Sequence, residues 1–274
     1  MTRDESFRVD GGHRLEGTVT PSGNKNEALP ALSACLMTEE TVTLRNMPLI
    51  GDVYVMGEIL ASMGAQVARD PADDHVWRVT GSNVVVEDLD PRQFSRLRAT
   101  ITLAAPLLYR CGKMKLPIPG GDKIGKRRID THLLSLQEMG VEVFEEDDAY
   151  LLLARDGLRG ADLLLDEASV TGTENIILAA VCARGTTTVY NAACEPHVQA
   201  LCRLLVSMGA RIEGIGSNLL TIEGVLSLGG ADHTIEADYI EVGSFIGLAA
   251  ATSSELTITH VHPPSMRRML TAYD

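Results

Sequence analysis

Two hydrophobic periods alternate along this chain, and the alternation itself repeats. Stretches such as VYVMGEILASMG and HVQALCRLLVSMG carry apolar residues at i, i+3 and i+4, the spacing of one buried helix face. Between them lie short runs rich in Val, Thr and Ile that read as strands: SFRVDG, GTVTP, TVTLRN, KMKLPI, TTTVYN and ELTITH. Together they make one unit: apolar helix, tight loop, strand, polar loop, second helix, Met-Gly, further strand. The first copy begins at ALPALSACLMTEETVTLRN and reaches SMGAQV at Met63. The second runs from ITLAAPLLYRCGKMKLP to EMGVEV at Met139, and the third from NIILAAVCARGTTTVYN to SMGARI at Met208. The Gly after each Met is expected to close its helix in a left-handed cap, with a strand starting at the next residue. A fourth copy, FIGLAAATSSELTITH, stops at Asp274 before its Met-Gly.

The spacing singles out one loop. Leu44 to Met63 and Val189 to Met208 each span 19 residues, whereas Leu116 to Met139 spans 23. The four additional residues fall in PGGDKIGKRR. Met139 and Met208 are 69 residues apart, far longer than a solenoid repeat, so compact pseudo-symmetric subdomains of β-α-β-(β)-α type are expected. Three complete units would form one domain over 25–236. The strands FRVDGG and GTVTPSG precede the first unit and must pair elsewhere, so 1–24 and 237–274 are assigned to a second domain that looks incomplete, its remainder missing from the chain. Such a partial domain would expose apolar surface.

Composition narrows the partners. A net charge of −13 argues against binding nucleic acid or an anionic membrane surface non-specifically, though not against a local basic site for a small anion. No apolar run is long enough to span a bilayer, and MTRDESFRVDGG lacks an apolar signal core. The five cysteines, Cys35, Cys111, Cys182, Cys194 and Cys202, show no CxxC spacing and sit mostly in apolar helical runs. Buried thiols in a reducing cytoplasm are the expectation. No His/Cys/carboxylate cluster has ligand spacing, so neither metal nor organic cofactor is expected.

Four segments could hold chemistry, each with a plain structural alternative. PSGNKNEALP sets Lys25 and Asn26 at a helix start, where free N–H groups and a mobile cation suit an anion; a capped helix with a surface lysine is the alternative. PIPGGDKIGKRRID gathers Lys123, Lys126, Arg127 and Arg128 on a glycine-hinged loop in an acidic protein, which is either an anion grip or a solvated basic loop. Asp122 sits among these cations, which favour its ionised form, while closure over a ligand would favour the protonated one. His132, just beyond, reads as a helix-surface or core histidine. Arg98, with Arg96 before it, heads an apolar helix and either contacts an anion or snorkels. Ser169, Val170, Thr171, Gly172 and Thr173 precede another helix, and capping by Thr171 or Thr173 is the simple reading.

In combination, SGNKNEALP (22–30), RLRATI (96–101), PGGDKIGKRRIDTH (119–132) and SVTGTEN (169–175) resemble the enolpyruvyl transferases, in the branch acting on UDP-N-acetylglucosamine. The resemblance runs in order from Phe7 to the end. The Lys-Asn pair and the Gly-Gly-x-x-Ile-Gly loop are specific to this branch; the sister 5-enolpyruvylshikimate-3-phosphate synthases begin with a Lys-Ser turn that is lacking here. The resemblance implies an inside-out α/β barrel of two domains, each of three units, closing over the substrates. It implies transfer of an enolpyruvyl group from phosphoenolpyruvate to the 3′-hydroxyl of UDP-N-acetylglucosamine, by addition and then elimination of phosphate, at the first committed step of peptidoglycan synthesis. By the same resemblance Lys25 and Asn26 lie at the phosphoenolpyruvate and sugar-nucleotide site between the domains, and Arg98 and Arg127 at the substrate anions. Ile124, Arg127, Arg128, Ile129, Asp130 and Thr131, with Ser169, Val170, Thr171 and Gly172, line the UDP-sugar.

The chain departs from the family pattern twice. Asp122 stands where most members have a catalytic cysteine; a carboxylic acid can still protonate the methylene carbon of phosphoenolpyruvate but cannot form a thioether. The family's carboxylate base and a further arginine lie in a C-terminal third that this chain lacks, so no turnover is expected of the 274-residue chain itself. A related enolpyruvyl transferase acting on another nucleotide, and a catalytically dead sugar-nucleotide-binding fragment, remain as alternatives.

Overall fold

Gly64, Gly140 and Gly209, the three glycines of the Met-Gly pairs, have φ of 93°, 93° and 106°. Each ends a helix in the left-handed region that glycine alone enters cheaply. The strands begin one residue later than the spacing suggests, because Ala65, Val141 and Ala210 turn their side chains into the core first. The structure is a computed structural model and describes residues 6–85, 89–120 and 128–273.

The chain forms two compact units, one of Gly23–Glu236 and one of Met1–Ser22 with Ala237–Asp274. Strand β1 (Glu16–Val19) belongs to the smaller unit. In the larger, the first copy contains α1 (Lys25–Ala34), β2 (Thr41–Arg45), α2 (Gly51–Ser62), β3 (Gln66–Asp70) and β4 (Asp73–Thr80). The second contains the short α3 (Pro91–Phe94), a 3-10 turn over Arg98–Leu103, α4 (Ala104–Cys111), β5 (Lys113–Pro117), α5 (Asp130–Glu138), β6 (Glu142–Glu145) and β7 (Ala149–Leu153). After β8 (Asp162–Leu164) the third supplies α6 (Val170–Ala180), β9 (Thr186–Tyr190), α7 (Pro196–Ser207), β10 (Arg211–Glu213), β11 (Leu219–Glu223) and β12 (Ala231–Thr234). The smaller unit adds α8 (Tyr239–Ala251), β13 (Glu255–Ile258) and α9 (Arg267–Leu270).

In the larger unit α1 and α6 lie inside and the strands outside. From Glu27 to Ala34 in α1, and from Gly172 to Ala180 in α6, every residue is buried. Strands such as β2 and β9 bury alternate residues only. A helix buried on all sides must satisfy its polar groups internally. Ser33 of α1 shares a 2.7 Å hydrogen bond with Thr102, Thr173 accepts from the Ala193 N–H at 2.9 Å, and the Asn175 carbonyl oxygen accepts from the Ala105 N–H at 3.3 Å. The sheets are open, and among the described residues none closes into a barrel of its own.

Parallel crossovers join the units. β8, leaving the second copy, pairs in parallel with β9 of the third, and β12, leaving the third, pairs in parallel with β2 of the first, so the second copy is joined to the third and the third to the first. β1 and β13 make the same parallel pair in the smaller unit. Arg45 fixes the pair of β12 with β2 by gripping Asp232 through two bonds of 2.7 and 2.6 Å. Asn46 and Asn191, at matching strand ends, adopt φ of 55° and 59°, and each donates its side-chain amide across to the crossover chain, at Ile235 O and Leu165 O. The expected strand FRVDGG does not form: residues 6–12 are irregular, and Phe7 and Val9 are 98% and 86% exposed.

Candidate functional site

The turn into α1 is built to hold one shape. Gly23 passes so close to Asn46 that a Cβ would lie 1.9 Å from its carbonyl oxygen. Asn24 then caps the helix, its side-chain oxygen accepting from the N–H groups of Asn26 and Glu27 at 2.8 and 3.3 Å. Buried Glu27 accepts from His233 Nε2 at 2.8 Å and from the Glu236 N–H at 3.1 Å, tying the returning β12 segment to the same turn. Burial pushes the Glu27 carboxyl up, against the opposing pull of the His233 bond. Lys25 is left half-buried on this frame, its Nζ 3.1 Å from Asp52 Oδ2, with Asn26 beside it.

A second cluster forms where α5 and α6 begin. Arg98, at the first turn of the second copy, donates from Nη2 to the Arg128 carbonyl at 2.8 Å. The Arg128 side chain turns onto Asp130, with Asp166 at 3.9 Å. Thr131 donates to Asp166 Oδ1 at 2.7 Å, and that bond, followed by the Arg128 charge, holds the Asp166 carboxyl below its ordinary range. Ser169 caps α6 by accepting from the Gly172 N–H at 3.2 Å. Thr171 and Thr173, expected as possible caps, lie inside the helix instead: Thr171 faces His132 Nε2 at 3.2 Å, and Thr173 is buried against the Ala193 N–H. Gly172 lets α5 and α6 close up, since a Cβ there would stand 3.0 Å from the Ser169 side chain and 3.2 Å from Thr131 Cγ2.

The structure thus brings together Arg98, Arg128, Ile129, Asp130, Thr131, Ser169, Val170, Thr171 and Gly172. Lys25 and Asn26 head a different helix, and among the described residues no hydrogen bond joins them to this cluster. Asp122, Ile124 and Arg127 lie outside the described residues. Arg96, weighed beside Arg98, pairs with Glu58 at 3.6 Å on the surface. Three participants were not singled out in the sequence: Asp52, Asp166 and Glu27. Asp166 carried a signal, an acid at the end of the LLL strand immediately before the Ser-capped turn. His132 is buried, and burial, helped by the Arg98 charge, pulls it down to about 3, so it is a neutral hydrogen-bonding group. Together the cluster offers guanidinium, hydroxyl and helix-start N–H donors beside two carboxylates, Asp130 and Asp166, a donor set suited to a phosphate-bearing polar ligand.

Known proteins resemble this chain in sequence and in fold. The family profile of EPSP synthase (3-phosphoshikimate 1-carboxyvinyltransferase) matches residues 9–274. A UDP-N-acetylglucosamine 1-carboxyvinyltransferase from Bacteroides thetaiotaomicron is 47% identical, over 96% of this chain and 63% of that protein. The chain therefore spans less than two thirds of the length of that curated relative. The enolpyruvyl transferase NikO from Streptomyces tendae superposes with a TM-score of 0.73 at 25% identity, over 86% of this chain and 55% of NikO. An EPSP synthase from Acinetobacter baumannii superposes with a TM-score of 0.73 at 18% identity, over 92% of this chain and 57% of its own. With repeat, fold and profile in agreement from residue 9 to residue 274, the chain belongs to the EPSP synthase family of enolpyruvyl transferases.

Proposed function

We propose that the protein transfers the enolpyruvyl group of phosphoenolpyruvate to the 3′-hydroxyl of UDP-N-acetylglucosamine, in the cytoplasm, as the first committed step of peptidoglycan synthesis. The observation that carries this reading is the 47% identity, across nearly the whole chain, with a protein named for that reaction. On this reading residues 25–236 are one three-unit domain, and residues 1–24 with 237–274 are part of a second.

As a base takes the proton of the 3′-hydroxyl, its oxygen bonds to C2 of phosphoenolpyruvate and C3 takes up a proton; loss of phosphate and of a C3 proton then restores the double bond. Lys25 and Arg127 face charge that is present throughout, on the phosphate and carboxylate, so their role is electrostatic. Asp122 is the assigned proton donor to C3. Arg98 and Arg128 hold the sugar nucleotide together with Thr131, Ser169 and the N–H groups at the start of α6. The donor set at that cluster supports this assignment, because a diphosphate needs several N–H and O–H donors at once.

Phosphate release with both substrates tests the reading, measured on the 274-residue chain and on a chain extended to the relatives' length. Release that requires UDP-N-acetylglucosamine is expected of the extended chain. Release with shikimate 3-phosphate in its place, or with neither acceptor, would overturn the assignment. Asp122→Asn should lower turnover about a hundredfold or more, as loss of a general acid does, with sugar-nucleotide affinity nearly unchanged.

A further inference from the structure

We propose that Arg155, Arg159 and Arg184 form a second anion site, for a multiply charged oxyanion of the phosphate type, formed by residues that take no part in the enolpyruvyl-transfer site. A cavity of about 540 Å³ is lined by these three arginines with Gly140, Asp156 and Gly157, between the turn that follows α5, the chain after β7 and the loop before β9.

The backbone forces two of these cations together. Arg159 and Arg184 are partners in a parallel β-bridge, fixed by Gly160 N–H to Arg184 O at 2.8 Å and Arg184 N–H to Leu158 O at 2.9 Å. The Arg159 N–H is held in turn by Met139 O at 3.1 Å. Like charges directly opposite one another destabilise a pair of strands. A chain of net charge −13 has carboxylates to spare, yet among the described residues Arg159 has no ion-pair partner. The Arg184 side chain donates to the Asp156 main-chain carbonyl and makes no ion pair among the described residues. Arg155 alone has a carboxylate, Glu142 at 2.8 Å.

The floor of the cavity is shaped around Arg159. Its side chain lies across Gly140, where a Cβ would come within 3.1 Å of Nε, and Gly140 and Gly157 both have left-handed φ, 93° and 72°. An arginine held against a wall of backbone presents its fork outward with fewer orientations to lose. Three guanidinium groups lining one opening suit an anion with three or more oxygens, and arginine engages phosphate bidentately where lysine offers a point charge. A single carboxylate would leave most of this volume and at least one cation unused.

Titration of inorganic pyrophosphate into the full chain, followed by calorimetry, tests the site. Arg98→Ala serves as a second background in which the enolpyruvyl-transfer site is weakened. One binding event should survive Arg98→Ala and weaken about tenfold in Arg159→Ala and in Arg184→Ala, the loss of a charge-assisted hydrogen bond. Arg159→Lys should fall between wild type and Arg159→Ala. Because the Arg159 side chain supports no other group, its variants keep the measurement readable should Arg184→Ala disturb the loop. Absence of binding at millimolar pyrophosphate, or binding unchanged in both alanine variants, would overturn the proposal. Citrate binding more tightly than pyrophosphate would overturn the ligand class.

Discussion

The Arg98 guanidinium donates to the Arg128 main-chain carbonyl at 2.8 Å, so the first turn of the second copy holds the far end of the decorated loop. That bond sets where α5 starts, and with it the positions of Asp130 and Thr131. On the proposed function, Arg98→Ala should therefore weaken UDP-N-acetylglucosamine binding about tenfold or more, through lost anchoring as well as lost charge. Arg98→Lys should recover only part of this, because an ammonium cannot reproduce the fork. Calorimetric titration decides it, and unchanged affinity in Arg98→Ala would remove Arg98 from the site.

Lys25 and Asp52 make an ion pair with both side chains 43% exposed. Such a pair contributes at most about 1 kcal/mol to stability. On the proposed function, Lys25→Ala in a chain extended to the relatives' length is expected to melt within a few degrees of wild type while lowering turnover about a hundredfold or more, since a cation placed at the phosphate would act on the transition state. A large fall in melting temperature with normal turnover would make Lys25 structural.

Much of this was legible in the sequence, and what was not has a physical cause. The Met-Gly pairs at Met63, Met139 and Met208 announce their helix ends because a left-handed cap is a local requirement. The joining of the third copy to the first by β12 is not local: Ala231 pairs with Val42, and a short polar strand such as ADHT carries no sign of its partner. FRVDGG shows the converse, a run with strand composition that pairs with no strand among the described residues. Ser169 rather than Thr171 or Thr173 caps α6 because the cap must stand outside the helix, and sequence alone does not fix where α6 begins. Arg98, Arg128, Thr131 and Ser169 were visible as types in a motif, whereas Asp52 and Asp166 were not, since only the fold decides which carboxylate meets which donor.

Thr131 and Asp166 give a local test of the cluster. The Thr131 hydroxyl bond is the main reason the Asp166 carboxyl lies below its ordinary range, with Arg128 second. Thr131→Val keeps the shape and removes the donor, so Asp166 should titrate at higher pH than in wild type, by an NMR titration of its side-chain carbonyl. A lowered carboxyl group favours the folded state above its unfolded value of about 3.9, a contribution lost on acidification. The variant should therefore show a weaker acid dependence of unfolding between pH 5 and 3. An Asp166 titration that does not move would mean that Thr131 donates elsewhere in solution.

His132 and Glu174 pull the pH dependence of stability in opposite directions. His132 is buried with Nε2 on Thr171, and burial lowers it to about 3. Above its unfolded value of about 6.5 it is neutral in both states and adds nothing; as pH falls from there the unfolded chain takes a proton that the folded chain refuses, and stability drops towards pH 3. Glu174 is fully buried in α6, and its Oε1 has no hydrogen-bond partner among the described residues. Burial first, and the nearby Glu195 charge second, hold it well above its ordinary value. Its sign is therefore reversed: as pH rises above about 4.3 the unfolded chain releases a proton that the folded chain keeps, and stability drops towards neutrality. Replacing the acid with its neutral isostere should remove this second slope. Glu174→Gln is expected to raise the melting temperature at pH 7, to change it little at pH 4, and to leave the His132 slope below pH 6.5 in place. Thermal melts of wild type, Glu174→Gln and His132→Asn from pH 4 to 8 separate the two groups. A Glu174→Gln variant that melts lower at pH 7 and equally at pH 4 would mean that Glu174 is ionised and paired in the folded protein.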